Sequence, residues 1–157
     1  MTSTELLPVL DFQGCEFKDY HELVDYVEKQ SIEHLPQVKL PLTHRLAPGQ
    51  YSREMFAPAG TLLTSKIHAQ EHFFFLMKGK ILVMEEDASY MLTAPIHSIS
   101  MKSARRIGLV IEDTVWITVH ATSLAEDKVY GEKEFREVIS KIEDEVIESH
   151  VNKLLSV

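Results

Sequence analysis

The sequence predicts one mainly β domain of the sandwich or barrel kind with a helix attached at each end. Three observations lead there. From Val38 to about Thr122, short runs rich in β-branched and aromatic residues alternate with Pro, Gly, Asp or Ser. On both sides of that stretch the apolar residues change to helical spacing. The chain has 157 residues and is 45% hydrophobic, enough for one core and too short for a second large one.

The N-terminal helix is expected over Phe17 to Ser31, where Tyr20, Leu23, Val24 and Val27 share a stripe and Pro36 follows the end. The strands are expected at Gln50 to Phe56, Thr61 to Ile67, His72 to Met77, Lys80 to Met84, Tyr90 to Thr93 and Thr114 to Ala121. A C-terminal amphipathic helix is expected from Glu132 to Leu155, with Phe135, Val138, Ile139, Ile142, Val146, Val151 and Leu154 on one stripe and a break near Ser149. The layout is thus residues 1–37 as a helical extension, 38–125 as the β-barrel and 130–157 as a helix, packed as one domain. That long apolar stripe, and the open edges of a small sheet, lead us to expect a homodimer.

Charge and cysteine usage exclude several function classes. The net charge is −8, and no Lys/Arg cluster is longer than Arg105-Arg106, so the basic stripe of a general nucleic-acid binder is missing. Cys15 is the only cysteine, which rules out an intrachain disulfide and a thiolate metal cage and suits a reducing cytoplasm. No run of eighteen apolar residues and no basic, apolar leader occurs, so neither membrane spanning nor secretion is expected. Phosphate loops and GxSxG turns are absent, and the one HxT triplet, at His120, has no second copy to form a two-histidine phosphoesterase.

Two stretches carry chemistry. In GTLLTSKIHAQEHFFFLMKGKI, Gly60 to Ile81, an extended chain puts Lys66, His68, Gln70, His72, Phe74 and Leu76 on one side. Extended Cα positions four apart lie about 13 Å from each other, so His68 and His72 can share an ion only if the chain turns at Ala69 to Glu71. In DTVWITVHAT, Asp113 to Thr122, Trp116, Thr118 and His120 share a face. Three neutral imidazoles are a common ligand set for one divalent transition metal, Zn, Fe, Mn or Ni, with positions left for water or substrate. With Glu71 in place of one histidine the set becomes two imidazoles and a carboxylate. The plain alternative is that these histidines only satisfy buried backbone groups. His21, His34, His44, His97 and His150 are read as incidental, and Tyr51, Arg53 and Glu54 as packing and pairing residues.

The stretches THRLAPGQYSREMFAPAGT, SKIHAQEHFFFLMKGKI and KSARRIGLVIEDTVWITVHAT, within Pro41 to Thr122, resemble the small cupin-like proteins of tailed bacteriophages. The resemblance implies a cupin-like double-stranded β-helix, or jelly roll, carrying the N- and C-terminal helices, in the cytoplasm of a host cell. The first cupin motif runs glycine, HxH, Glu, then glycine after six intervening residues. His68 matches its second histidine, Lys66 stands at the first, His72 at the glutamate, and Gly79 keeps the final spacing. The second cupin motif usually has a histidine where SMKSARRIG has Arg105-Arg106, so His120 on the next strand would supply the third nitrogen.

The resulting expectation is a metal site at His68, His72 and His120 inside the barrel, with Lys66, Gln70, Glu71, Arg105, Arg106 and Trp116 around a small polar or anionic ligand. Lys66, Arg105 and Arg106 have an alternative reading as surface charges or as ion-pair partners of Glu71 and Asp113. Metal-dependent catalysis is one outcome of such a site. The expectation of a different class is a non-catalytic interaction protein that uses the barrel as scaffold and its acidic helices to contact a partner.

Overall fold

The computed structural model describes residues 16–147. Cys15, His150, the break near Ser149, and Val151 and Leu154 of the C-terminal stripe lie outside them. The fold is mainly β, with an antiparallel sheet, one N-terminal helix and one C-terminal helix.

Helix α1 spans Tyr20–His34 and begins three residues later than the apolar spacing indicates. The reason is Asp19, whose side chain accepts the Glu22 backbone N–H at 2.9 Å and caps the first turn. The strands are β1 (Leu42–Ala47), β2 (Gln50–Ala57), β3 (Leu62–Thr64), β4 (His72–Met84), β5 (Ser89–Thr93), β6 (Ile96–Ser100) and β7 (Ile107–Ala121), and helix α2 is Glu132–Val146. β1 and β6 were not expected, because both are largely exposed and interspersed with polar residues. Thr61 to Ile67 contracts to β3. The two runs before and after Gly79 are one strand, and β7 reaches back to Ile107.

The spine is the antiparallel pair β4–β7. At one end β7 pairs with β2 and β4 with β6; at the other β7 pairs with β3 and β4 with β5. Around Lys78 to Ile81 the β4 register slips against β7. The slip changes parity: His72, Phe74 and Leu76 are buried before it, Ile81 and Val83 after it. Gly79 makes the slip possible. Its φ is +91°, and a Cβ there would stand 2.3 Å from the Asp113 carbonyl oxygen.

The two helices close the sheet in different ways. α1 packs Leu23, Val24 and Val27 on Met84 and Ile107, and is tied by the buried Arg105 guanidinium to Asp25 at 2.6 Å and Glu28 at 3.2 Å. α2 lays Ile139, Ile142 and Val146 against Tyr51. The stripe expected to make a dimer is thus covered by the chain's own core as far as Ile147. No helix of the described residues is long and apolar enough to cross a membrane.

Two stability predictions follow from this packing. Gly79→Ala should cost more than about 2 kcal/mol, strain plus clash, whereas Gly49→Ala, with φ +74° and open space around it, should cost only the strain; urea unfolding separates them. Arg105→Met should cost about 3 kcal/mol because it strands buried Glu28, and adding Glu28→Gln should recover part of the loss.

Candidate metal centre

The register builds the site row by row. Tyr51 of β2 pairs with His120 of β7, and continuing the Phe73–Val119 register by one residue sets His72 of β4 on the other side of His120. His72 in turn pairs with Ser100 of β6. The next row inward along the strands is Arg53, Thr118 and Phe74, and the one after it Met55, Trp116 and Leu76. The side chains of these rows point to one face because strand side chains alternate.

His68 arrives from a loop. The extended run expected from Lys66 breaks between β3 and β4, with a turn at Gln70, and only His72 onward continues as strand. The loop is held by α2: the Ala69 N–H donates to Val146 O at 2.9 Å and His68 forms a bridge with Ile147. Its ring comes 4.3 Å from that of His72 and 5.3 Å from that of His120, and the His72 and His120 rings are 4.3 Å apart. One nitrogen from each of the three histidines lies within 4.8 Å of the others. A tetrahedral ion with bonds of about 2.1 Å needs such nitrogens about 3.4 Å apart.

The tautomers suit coordination. His72 Nδ1 lies 3.3 Å from the Gln70 carbonyl, which makes it the donor there and frees Nε2. His120 Nε2 lies 3.1 Å from Thr118 Oγ1, while its Nδ1 is buried with no hydrogen-bond partner among the described residues. Burial pushes the pKa of His68 down to about 3, helped by the nearby His72 imidazole and by the cations Arg53, Lys66 and Arg106. Burial also lowers His120 to about 3 and lowers His72. All three therefore stay neutral, with lone pairs available, at physiological pH.

The triad stands at the wall of a cavity of about 300 Å³. Of the residues singled out from sequence, Lys66, His68, His72, Arg106, Trp116 and His120 line it; Gln70, Glu71 and Arg105 do not. Arg105 is spent on α1, and Glu71 is exposed, outside the group of candidate ligands. Gln70 reaches Ala121 O instead, at 3.3 Å. Nor do the arginines pair with Glu71 and Asp113: Arg106 bonds Glu85 at 2.6 Å and Ser100 Oγ at 3.1 Å, and Asp113 accepts the Ala59 N–H at 2.9 Å. The apolar part of the wall comes from Leu40, Met55, Leu63, Ile81, Val83 and Trp116, with Phe74 stacked beneath Trp116 at 4.6 Å.

Several residues of the wall were not singled out. Tyr51, read as packing, is buried, stacks on His120, and its hydroxyl lies 2.7 Å from His44 Nδ1 and 3.3 Å from Glu143 Oε1. Arg53 and Glu143 also line the cavity. Tyr51 and Arg53 were visible as alternate residues of a strand that could pair with the His120 strand; Glu143 on a distant helix carried no local signal.

No family profile matches the chain, and no curated protein does. Solved structures resemble it. A cupin-2 domain protein from Shewanella frigidimarina is 12% identical, covers 62% of this chain and 92% of its own, and has a TM-score of 0.43. KdgF from a Halomonas species is 13% identical over 56% of this chain and 86% of its own, with a TM-score of 0.46. An RmlC-like cupin with a double-stranded β-helix fold from Methanocaldococcus jannaschii is 11% identical over 57% and 93%, with a TM-score of 0.45.

The lowered histidine pKa values carry a pH prediction for the metal-free chain. Unfolded, His68 and His120 take up protons near their ordinary value of about 6.5; folded, they resist until about pH 3. The unfolded state thus binds more protons in that window, so stability should fall as pH drops through 6.5 toward 3. Denaturation midpoints at neutral and mildly acid pH should show the fall, and His68→Gln with His120→Gln should flatten it.

Proposed function

We propose that the protein holds one divalent transition metal on His68, His72 and His120, with an open side toward the cavity where a small ligand binds. The observation that carries this reading is the convergence of three neutral imidazoles, one of them with a buried nitrogen that has no other partner among the described residues. A buried unpaired nitrogen costs about 1–3 kcal/mol unless something occupies it. The set fits Zn, Fe, Mn or Ni, and three protein nitrogens leave room for water or a ligand atom. When bound, such an ion polarises a ligand oxygen or lowers the pKa of its water. Around it the chain's own residues have other work: Gln70 O and Thr118 orient the imidazoles, and α2 holds the His68 loop in place.

The expectation of an interaction protein acting through its acidic helices needs a different test from removal of residues 132–157. Ile142 and Val146 are core residues, and Val146 O anchors the loop that carries His68. That truncation would open the core and the site together. Charge reversal at exposed α2 positions such as Glu137 and Asp144 leaves both intact.

Elemental analysis of the untagged full chain tests the metal reading. About one equivalent of metal is expected, and a His68→Ala, His120→Ala variant should lose it. If neither protein contains metal and neither takes up zinc on soaking, the reading is wrong.

A further inference from the structure

The cavity beside the triad is graded in polarity. Each step from one row of the sheet to the next moves about 6.6 Å, from the histidine row through the Arg53–Thr118 row to the Met55–Trp116 row. Its charge is also distinctive. Arg53 and Lys66 line the wall with no ion-pair or hydrogen-bond partner among the described residues. Arg106 is matched by Glu85, and the triad is neutral. The one acid on the wall is Glu143, which accepts from Tyr51. With Glu85 set against Arg106 and Glu143 against one of the other two cations, the described residues leave one positive charge uncompensated at the wall, in a chain of net charge −8. A volume of about 300 Å³ has room for on the order of ten non-hydrogen atoms at water's share of ~30 Å³.

We infer that the cavity takes a small monocarboxylate with an apolar body, its carboxylate held by Arg53 beside the triad and its body lying against Met55 and Trp116. The inference rests on the reading that the cavity at the triad is the binding site. Arg53 suits the task because its planar fork matches a carboxylate in two parallel hydrogen bonds, and because it is spent on nothing else among the described residues. A single charged end and an apolar floor select for a ligand with one of each. Lys66, on the loop that carries His68, adds field without a fixed geometry.

Calorimetric titration of the full chain with benzoate, benzyl alcohol and inorganic phosphate tests this, on zinc-loaded and on chelator-treated protein. Benzoate should bind about tenfold or more tightly than either other probe, Arg53→Met should lose about that factor, and Arg53→Lys should lose less. The zinc content and melting temperature of the Arg53 variants should stay as in the parent, and the comparison of probes on the unaltered chain stands whatever the variants do. Benzyl alcohol or phosphate binding as tightly as benzoate overturns the inference, as does no benzoate binding at millimolar concentration or an unchanged affinity in Arg53→Met. Zinc held without preference for benzoate leaves the metal reading and removes this one. Benzoate bound through Arg53 by a chain that takes up no zinc does the reverse.

Discussion

The antiparallel pairing of β4 with β7 is the constraint on which the rest of the molecule depends, because both strands contribute side chains to the cavity wall, His72, Ile81 and Val83 from one and Trp116, Thr118 and His120 from the other. Alternation alone cannot keep a long strand facing inward at both ends of a strongly bent sheet. The slip near Gly79 resolves this by changing the parity of β4, so that His72 at one end and Val83 at the other face the same interior. The glycine is required because its carbonyl-crowded, positive-φ position excludes a side chain. Sequence spacing between His72 and Gly79 is thus a statement about sheet geometry first, and about chemistry only through it.

The two ends of the sheet are closed by different forces. At the α1 end the closure combines apolar contact with a guanidinium buried between two carboxylates, an arrangement that tolerates no missing partner. At the α2 end it is mostly apolar packing around Tyr51, and that end carries the site. The same helix supplies Glu143 to the wall and holds the His68 loop by a main-chain bond. Formation of the triad is therefore coupled to docking of α2 through the His68 loop.

Much of this was legible in the sequence, and the failures have physical causes. The helices and the β texture follow from periodicity, and the shared face of Trp116, Thr118 and His120 from alternation. The need for a turn between His68 and His72 followed from chain dimensions, and the turn is there. What periodicity cannot supply is the pairing of distant strands. That is why Arg53 was read as a packing and pairing residue while Arg105 was read as a ligand-binding one. Their roles are decided by which strand or helix lies opposite: Thr118 for Arg53, and the Asp25–Glu28 face of α1 for Arg105. β1 and β6 escaped notice because edge and outward-facing strands need little apolar patterning.

A purely structural account of the triad has to explain why a core position would hold His120 at all. Its ring is 2% exposed and stacks between Tyr51 and the other imidazoles, where an apolar aromatic ring would pack without loss. As histidine it leaves Nδ1 unpaired, and it sits where its protonated form is strongly disfavoured. The protonated form of His68 is disfavoured in the same way, on a loop whose anchoring bond comes from another element. Three imidazoles with lowered pKa values at one place lower the stability of the metal-free chain in mild acid. The proposed ion would select the neutral state that burial already imposes. The features that cost stability are the ones that coordination needs, which is the pattern of a site shaped for a ligand at the expense of the fold.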